Sequence, residues 1–305
     1  MIKDATAMSC LGQPGQVVGG GDYLAGVTDE LREALIPFRT RAVEVGSVFH
    51  SVDPIPAEEV DRWIGHARPC AILRLDGEGP VAGRFGGPLL LPADVPDPRH
   101  PYVGYIDFAA LPKGSTDLPL PPDGRLLLFA EIWELWDGDN RGHAVYVPAG
   151  TPVTERDRYT WTAYGDNDVD EFRENFDNFP QGELTVTAEP DLPHQSPGGF
   201  PHVDGLWDVW RDVTSRTRHL QFGGYPANPE QQMDFVASCA VEQAEKGRWG
   251  GGEPVSGDPE DWVALAFWDA DVADREGTEM QWSIQRADLE AGRFDRTYVT
   301  GYYNP

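Results

Sequence analysis

Three cysteines in 305 residues, Cys10, Cys70 and Cys239, are too few and too widely spaced for a disulfide framework. No CxxC is present, which removes a zinc knuckle and a thioredoxin-type redox pair. The composition fits reduced thiols in a cytoplasm. Basic residues are also scarce: 24 Lys and Arg stand against 51 Asp and Glu, a net charge of −27. Such a charge repels phosphate backbones and anionic lipid, so nucleic acid and membrane surfaces are poor partners. It favours a basic protein or a cationic small molecule, or it serves solubility alone. No apolar run approaches the ~18 residues of a membrane span. The N-terminal MIKDATAMSCLGQPGQ lacks the apolar core of a secretory signal. Neither GxSxG nor a Walker-type GK[ST] occurs, so the commonest hydrolase and NTPase signals are missing.

What is present is a core-forming composition, 40% hydrophobic and 11% aromatic, with 34 glycines and 27 prolines that punctuate it into short elements. Residues 1–27 read as a loose arm. Thr28 is a candidate N-cap for a helix with Leu31, Leu35 and Phe38 on one face, and Pro37 should kink or split it. A second helix is expected from Pro56, with Val60, Trp63, Ile64 and Ala67 inward. Strands are expected at 70–75, 102–108, 125–132, 143–147, 158–163, 183–189, 262–268, 279–284 and 296–303. Helices are expected at 168–179 and at 229–246, the latter capped by Asn228 and ended by Gly247. These elements group as 1–69, an arm and helices packed on the body, then 70–190 and 191–305, two sheet halves of one compact unit.

Arg84-Phe85-Gly86-Gly87-Pro88 returns as Gln221-Phe222-Gly223-Gly224-Tyr225-Pro226. Each copy precedes an apolar strand ending in aspartate, Tyr105-Ile106-Asp107 and Phe267-Trp268-Asp269, and then a glycine and another strand. The echo predicts a diverged internal duplication. The fold class expected is therefore α+β: mostly antiparallel sheets in two related halves, with peripheral helices.

These motifs, in this order, resemble the YwqG-like family, a bacterial family of unknown function. The likeness runs from Arg84 to Pro92, through Ile106-Asp107-Phe108 and Leu120 to Phe129, to His219–Pro226 with Gln231, and on from Trp262 to Asp269, Gly277 to Ile284, Asp288-Leu289 and Phe294. The resemblance implies an α+β fold of two related halves and no settled activity. This chain departs from it where members usually carry glutamine: Tyr105 and Phe267 stand there. Arg275-Glu276-Gly277 replaces a Trp-Gly-Asp-Gly turn.

Six residues follow as binding candidates: Tyr105, Asp107, His219, Phe267, Asp269 and Glu276. Asp107 and Asp269 are the pair singled out by the echo, either meeting near a pseudo-twofold axis or each capping its own turn. His219 would otherwise satisfy loop backbone. The glycine pairs 86–87 and 223–224 are expected at positive φ. Asp166-Asn167-Asp168-Val169-Asp170 lacks the glycine and distal glutamate of a calcium loop. His194, His202, His219 and Asp204 have no tight ligand spacing, and no metal or cofactor is implied. The many tryptophans, Trp249 among them, would build core or a ring-lined cleft. Two functional readings follow. One is a non-enzymatic binding protein for a basic protein partner, inhibitor- or immunity-like. The other is an enzyme or small-molecule binder for a cationic or sugar-like ligand, in an acidic, aromatic-lined cleft between the halves.

Overall fold

A computed structural model describes residues 28–45, 55–133, 135, 138–159, 173, 176–194, 201–214, 219–270, 272 and 275–303. The expected calcium-like run at 166–170 and the arm 1–27 lie outside these residues, as does most of the helix expected at 168–179. Near the start, Thr28 Oγ1 accepts from Leu31 N and opens α1 (Asp29–Ala34). The helix breaks at Leu35, and α2 (Ile36–Val45) takes Pro37 in its first turn, where the missing N–H costs nothing. Helix α3 (Ala57–Ile64) starts behind Pro56 and buries Val60 and Trp63. A further helix, α4 (Val203–Thr214), completes this group. Leu31, Phe38, Trp63, Leu206 and Trp210 form one apolar cluster, with Phe38 edge-on to Trp210 at 5.4 Å. Helix α4 was not among the expected elements. Its buried Leu206, Trp207, Val209 and Trp210 do repeat at helical spacing.

Twelve strands follow among the described residues: β1 (Arg68–Leu75), β2 (Val81–Phe85), β3 (Leu89–Leu91), β4 (Tyr102–Asp107), β5 (Arg125–Ala130), β6 (Gly142–Val147), β7 (Thr154–Arg156), β8 (Gly182–Asp191), β9 (Leu220–Gly223), β10 (Trp262–Ala270), β11 (Thr278–Gln285) and β12 (Tyr298–Tyr303). Ten of them make one sheet, ordered β12-β11-β10-β9-β1-β8-β2-β4-β5-β6, and β3 pairs with β7 in a second, two-stranded sheet. Every paired neighbour is antiparallel. The strand expected at 158–163 is not seen: residues 158–159 form a turn, the strand nearby is β7, and residues 160–163 lie outside the described residues.

The large sheet curls until its two end strands meet. Arg141 N donates to Val299 O at 2.9 Å, and Val299 N donates to Asn140 Oδ1 at 2.9 Å. Gly142 permits that approach, because a Cβ there would lie 2.3 Å from Phe129 O and 3.0 Å from the Val299 methyls. Strand alternation then sends one set of side chains inward. Leu73, Phe85, Ile106, Leu128, Phe222, Trp268, Trp282 and Val299, from strands all round the sheet, fill a single core. On the other face the β3–β7 pair covers Tyr102, Leu127, Phe129 and Val147 with Leu89 and Leu91. Helix α5 (Met233–Glu245) covers Trp262 and Tyr298 with Val236 and Ala240. Its start differs from expectation: Asn228 caps a short 3-10 turn, Pro229–Gln231, and the α-helix begins only at Met233.

The two Phe-Gly-Gly segments occupy matching places in the strand ladder. Phe85 lies opposite Gly104, and Phe222 opposite Ala266. One strand further, the register slips between Tyr102 and Gly104, and again between Ala264 and Ala266. All four glycines have positive φ: Gly86 59°, Gly87 79°, Gly223 74° and Gly224 80°. The strands thus turn sharply there with no Cβ in the way. No described helix is long and apolar enough to cross a membrane.

Candidate functional site

The six residues singled out from sequence are placed apart. Tyr105 and Asp107 belong to β4, Phe267 and Asp269 to β10, and four strands lie between β4 and β10 in the sheet. That separation is about 24 Å along the sheet at ~4.8 Å per strand. Asp107 accepts from Ala109 N and so caps the short turn after β4, with Arg125 Nε at 3.5 Å. The Arg125 guanidinium also covers the Tyr105 ring at 4.6 Å. Phe267 is buried, opposite Gln221 on one side and Gln281 on the other. Asp269 faces Glu279 across the β10–β11 ladder. Glu276 is exposed on the turn before β11. His219 Nδ1 accepts from Leu75 N at 2.9 Å, which is the loop-satisfying role. The other histidines considered as a metal group are equally dispersed. His202 is held by Glu59 at 2.8 Å and His194 rests on Trp207. Among the described residues no three metal-ligating side chains converge.

A cleft of about 490 Å³ opens elsewhere, where the curled sheet closes on itself. One wall is β6, with His143, Ala144, Val145 and Tyr146. The second is the loop after β3, carrying Val95 and the run Pro96-Asp97-Pro98-Arg99-His100. The third comes from far along the chain: Trp249, Gly292, Phe294, Asp295 and Thr297. The proline-rich loop is fixed from behind by Arg156, which donates to the carbonyls of Pro92 and Val95 and pairs with Asp97 at 2.7 Å.

His100 and His143 are the polar centre of this cleft. Their Nδ1 atoms are 3.1 Å apart, and His143 stacks flat on Phe129 with ring centroids 4.4 Å apart. Burial comes first in holding both imidazoles far below the usual histidine range, at about 3, with Arg99 adding to it for both and the neighbouring ring for His100. Both rings are therefore neutral at physiological pH. One Nδ1 must donate and the other accept, so the remaining Nε2 atoms are of opposite character. The pair offers one acceptor and one N–H donor, set in a largely apolar, aromatic surround.

The cleft continues into a second depression walled by Arg99, Arg248, Trp249, Gly250, Gly251, Arg293 and Arg296. Four of the protein's 24 basic residues gather here. Two of them are structural. Arg296, almost fully buried, reaches Asp288 at 2.9 Å and donates to Gly250 O and Pro254 O, which anchors the glycine loop. Arg293 pairs with Glu253 and lies 3.3 Å from Asp288. The other two are loosely engaged. Arg248 has a carboxylate only at 3.9 Å, from Asp139, and Arg99 has no ion-pair partner among the described residues.

No family model matches this chain, and neither does any curated protein. The geometry of the cleft therefore carries the functional reading. An aromatic-walled cavity of this size, with a few convergent polar groups, falls in the range of small-molecule sites. Of its lining, Leu91, Trp249 and Phe294 belong to features singled out in the sequence, and His143 to Tyr146 fall in an expected strand, with no site role attached to any of them. His100 and His143 were passed over because 43 positions separate them. The readable signal was the Pro-Asp-Pro-Arg-His-Pro loop, which packs charge and a histidine into rigid backbone.

Proposed function

We propose that this protein binds a small molecule in the cleft between β6 and the 292–297 segment. The observation that carries the reading is the neutral His100–His143 pair at a 490 Å³ aromatic cavity. A buried polar pair without a charge is suited to recognising a ligand by one donor and one acceptor. The test is a fragment screen by ligand-observed NMR, on the wild type and on Val95→Trp. Val95 is a half-buried loop side chain, so the larger ring would fill the cleft at little cost to folding. Aromatic fragments that bind the wild type and lose binding in Val95→Trp support the reading. Equal binding to both sinks it.

The same reading includes a relation between the chain's two parts. Strands β2-β4-β5-β6 and β9-β10-β11-β12 run outward from the central β1–β8 pair in the same sequence. The glycine pairs, the ladder positions of Asp107 and Asp269, and the two register slips all correspond, which supports a diverged duplication. The cleft then lies where the outer edges of the two halves meet. The motif order supports YwqG-like membership, and the cysteine usage supports a cytoplasmic setting.

A second reading, a non-enzymatic partner of a basic protein, rests on the net charge of −27. Its signature is an association rate that falls steeply as salt rises. A partner captured from native lysate that is acidic, or whose association ignores salt, removes it.

A further inference from the structure

We propose that the cleft's ligand is an organic anion with an apolar or aromatic body, its charged end held by Arg99 and Arg248. The inference rests on the cleft being the binding site and adds the sign of the ligand's charge. It runs against the sign that the net charge of −27 suggests. Remote carboxylates are screened over ~8 Å at physiological salt, so the charges lining the cleft decide.

Those local charges do not balance. Asp97 is committed to Arg156 at 2.7 Å, and Glu253 to Arg293. Asp288 is committed to Arg296 at 2.9 Å. Asp295 is the remaining carboxylate of the lining, and it neighbours Arg293 and Arg296 in the chain. Against it stand Arg99, with no ion-pair partner among the described residues, and Arg248, with Asp139 at 3.9 Å and 62% of its side chain exposed. Both face the depression that joins the apolar cleft through Trp249. Guanidinium forks match carboxylate and phosphate oxygens in pairs. Beyond them Leu91, Val95 and Phe294 offer surface for the ligand's apolar part. Gly250 and Gly251 leave the wall bare of side chains, with open space where a Cβ at Gly251 would stand.

The experiment is isothermal titration of the full chain at neutral pH with three probes of one skeleton: phenylpropanoate, phenylpropanol and phenylpropylamine. Each is titrated into the wild type, Arg99→Gln and Arg99→Gln/Arg248→Gln. The expected result is that the carboxylate binds about tenfold tighter than the alcohol, equivalent to about 1.4 kcal/mol. The double variant should bring the carboxylate to within about twofold of the alcohol, while alcohol affinity stays put and so certifies the fold. An amine that binds tightest, or a carboxylate advantage that survives in the double variant, overturns the proposal. If all three bind alike and Val95→Trp abolishes them, the cleft stands and the anion falls. If none binds the wild type, both fall.

Discussion

Asp288 is the position where stability and the cleft wall are joined, and Asp288→Asn is the perturbation that exposes the link. The Asp288 carboxylate accepts from Gln285 Nε2 at 2.6 Å and Arg296 Nε at 2.9 Å, with Arg293 Nε at 3.3 Å. Both Asp288 and Arg296 are buried. Removing one partner of a buried pair strands the other charge, at a cost of about 3–5 kcal/mol. Arg296 would keep the carbonyls of Gly250 and Pro254, and Glu253 lies 3.7 Å away but is half exposed. That partial compensation points to the lower end, about 3 kcal/mol, or a fall in Tm of roughly 6–12 °C for a chain of this size. Urea denaturation measures it, with the m value held as a control on two-state behaviour. Adding Arg296→Met removes the stranded charge and should recover part of the loss, a coupling of about 1–3 kcal/mol in the double-mutant cycle. A loss below about 1 kcal/mol in Asp288→Asn, or strictly additive losses in the cycle, would refute the reasoning.

Three further outcomes follow from named contacts. His100 and His143 are held neutral in the fold, with values near 3 against 6.5 for a free imidazole. The unfolded chain therefore binds more protons between about pH 6.5 and 3, and stability falls as pH drops through that window. At ~1.4 kcal/mol per pH unit, the drop from pH 7 to 5 is about 2 kcal/mol for one such group. Urea midpoints should show that drop in the wild type, and a smaller one in His100→Gln/His143→Gln. At Gly223 a Cβ would lie 2.3 Å from Thr116 Oγ1 with φ at 74°, so Gly223→Ala should cost more than about 1 kcal/mol by thermal melting. Glu59 is buried and accepts from both His202 N and the His202 ring. Glu59→Ala should lose about 2 kcal/mol in the same assay, and a neutral result would remove that bridge from the account.

Much of the fold was legible because its elements carry local signals. Alternation in Leu184-Thr185-Val186-Thr187-Ala188 marked β8, and the turn-forming Phe-Gly-Gly pairs marked the two kinks where β2 and β9 end. Short strands escaped. β3 has three residues and β9 four, too few for any period to show. Helix α4 escaped because the run just before it, residues 193–202, is rich in glycine, proline and histidine and reads as loop. The candidate site was hardly legible. Repetition drew attention to Asp107 and Asp269, which lie on β4 and β10 and do not line the cleft. Asp107 caps the turn after its own strand. The cleft is built where the ends of the sheet meet, from segments as distant as His100 and Phe294. That juxtaposition depends on the curl of ten strands and leaves no local trace. Net charge likewise gives no hint that Arg99, Arg248, Arg293 and Arg296 gather in one place within an acidic chain.

The central claim, a ligand cleft built on a neutral histidine pair, is tested most directly by histidine-selective nitrogen NMR of the wild type with a bound fragment. Two imidazoles should keep the neutral tautomer pattern at pH 5, and the Nε2 signals of those same two should move when the fragment binds. Titration of both rings near pH 6.5, or fragment shifts confined to other histidines, would contradict it.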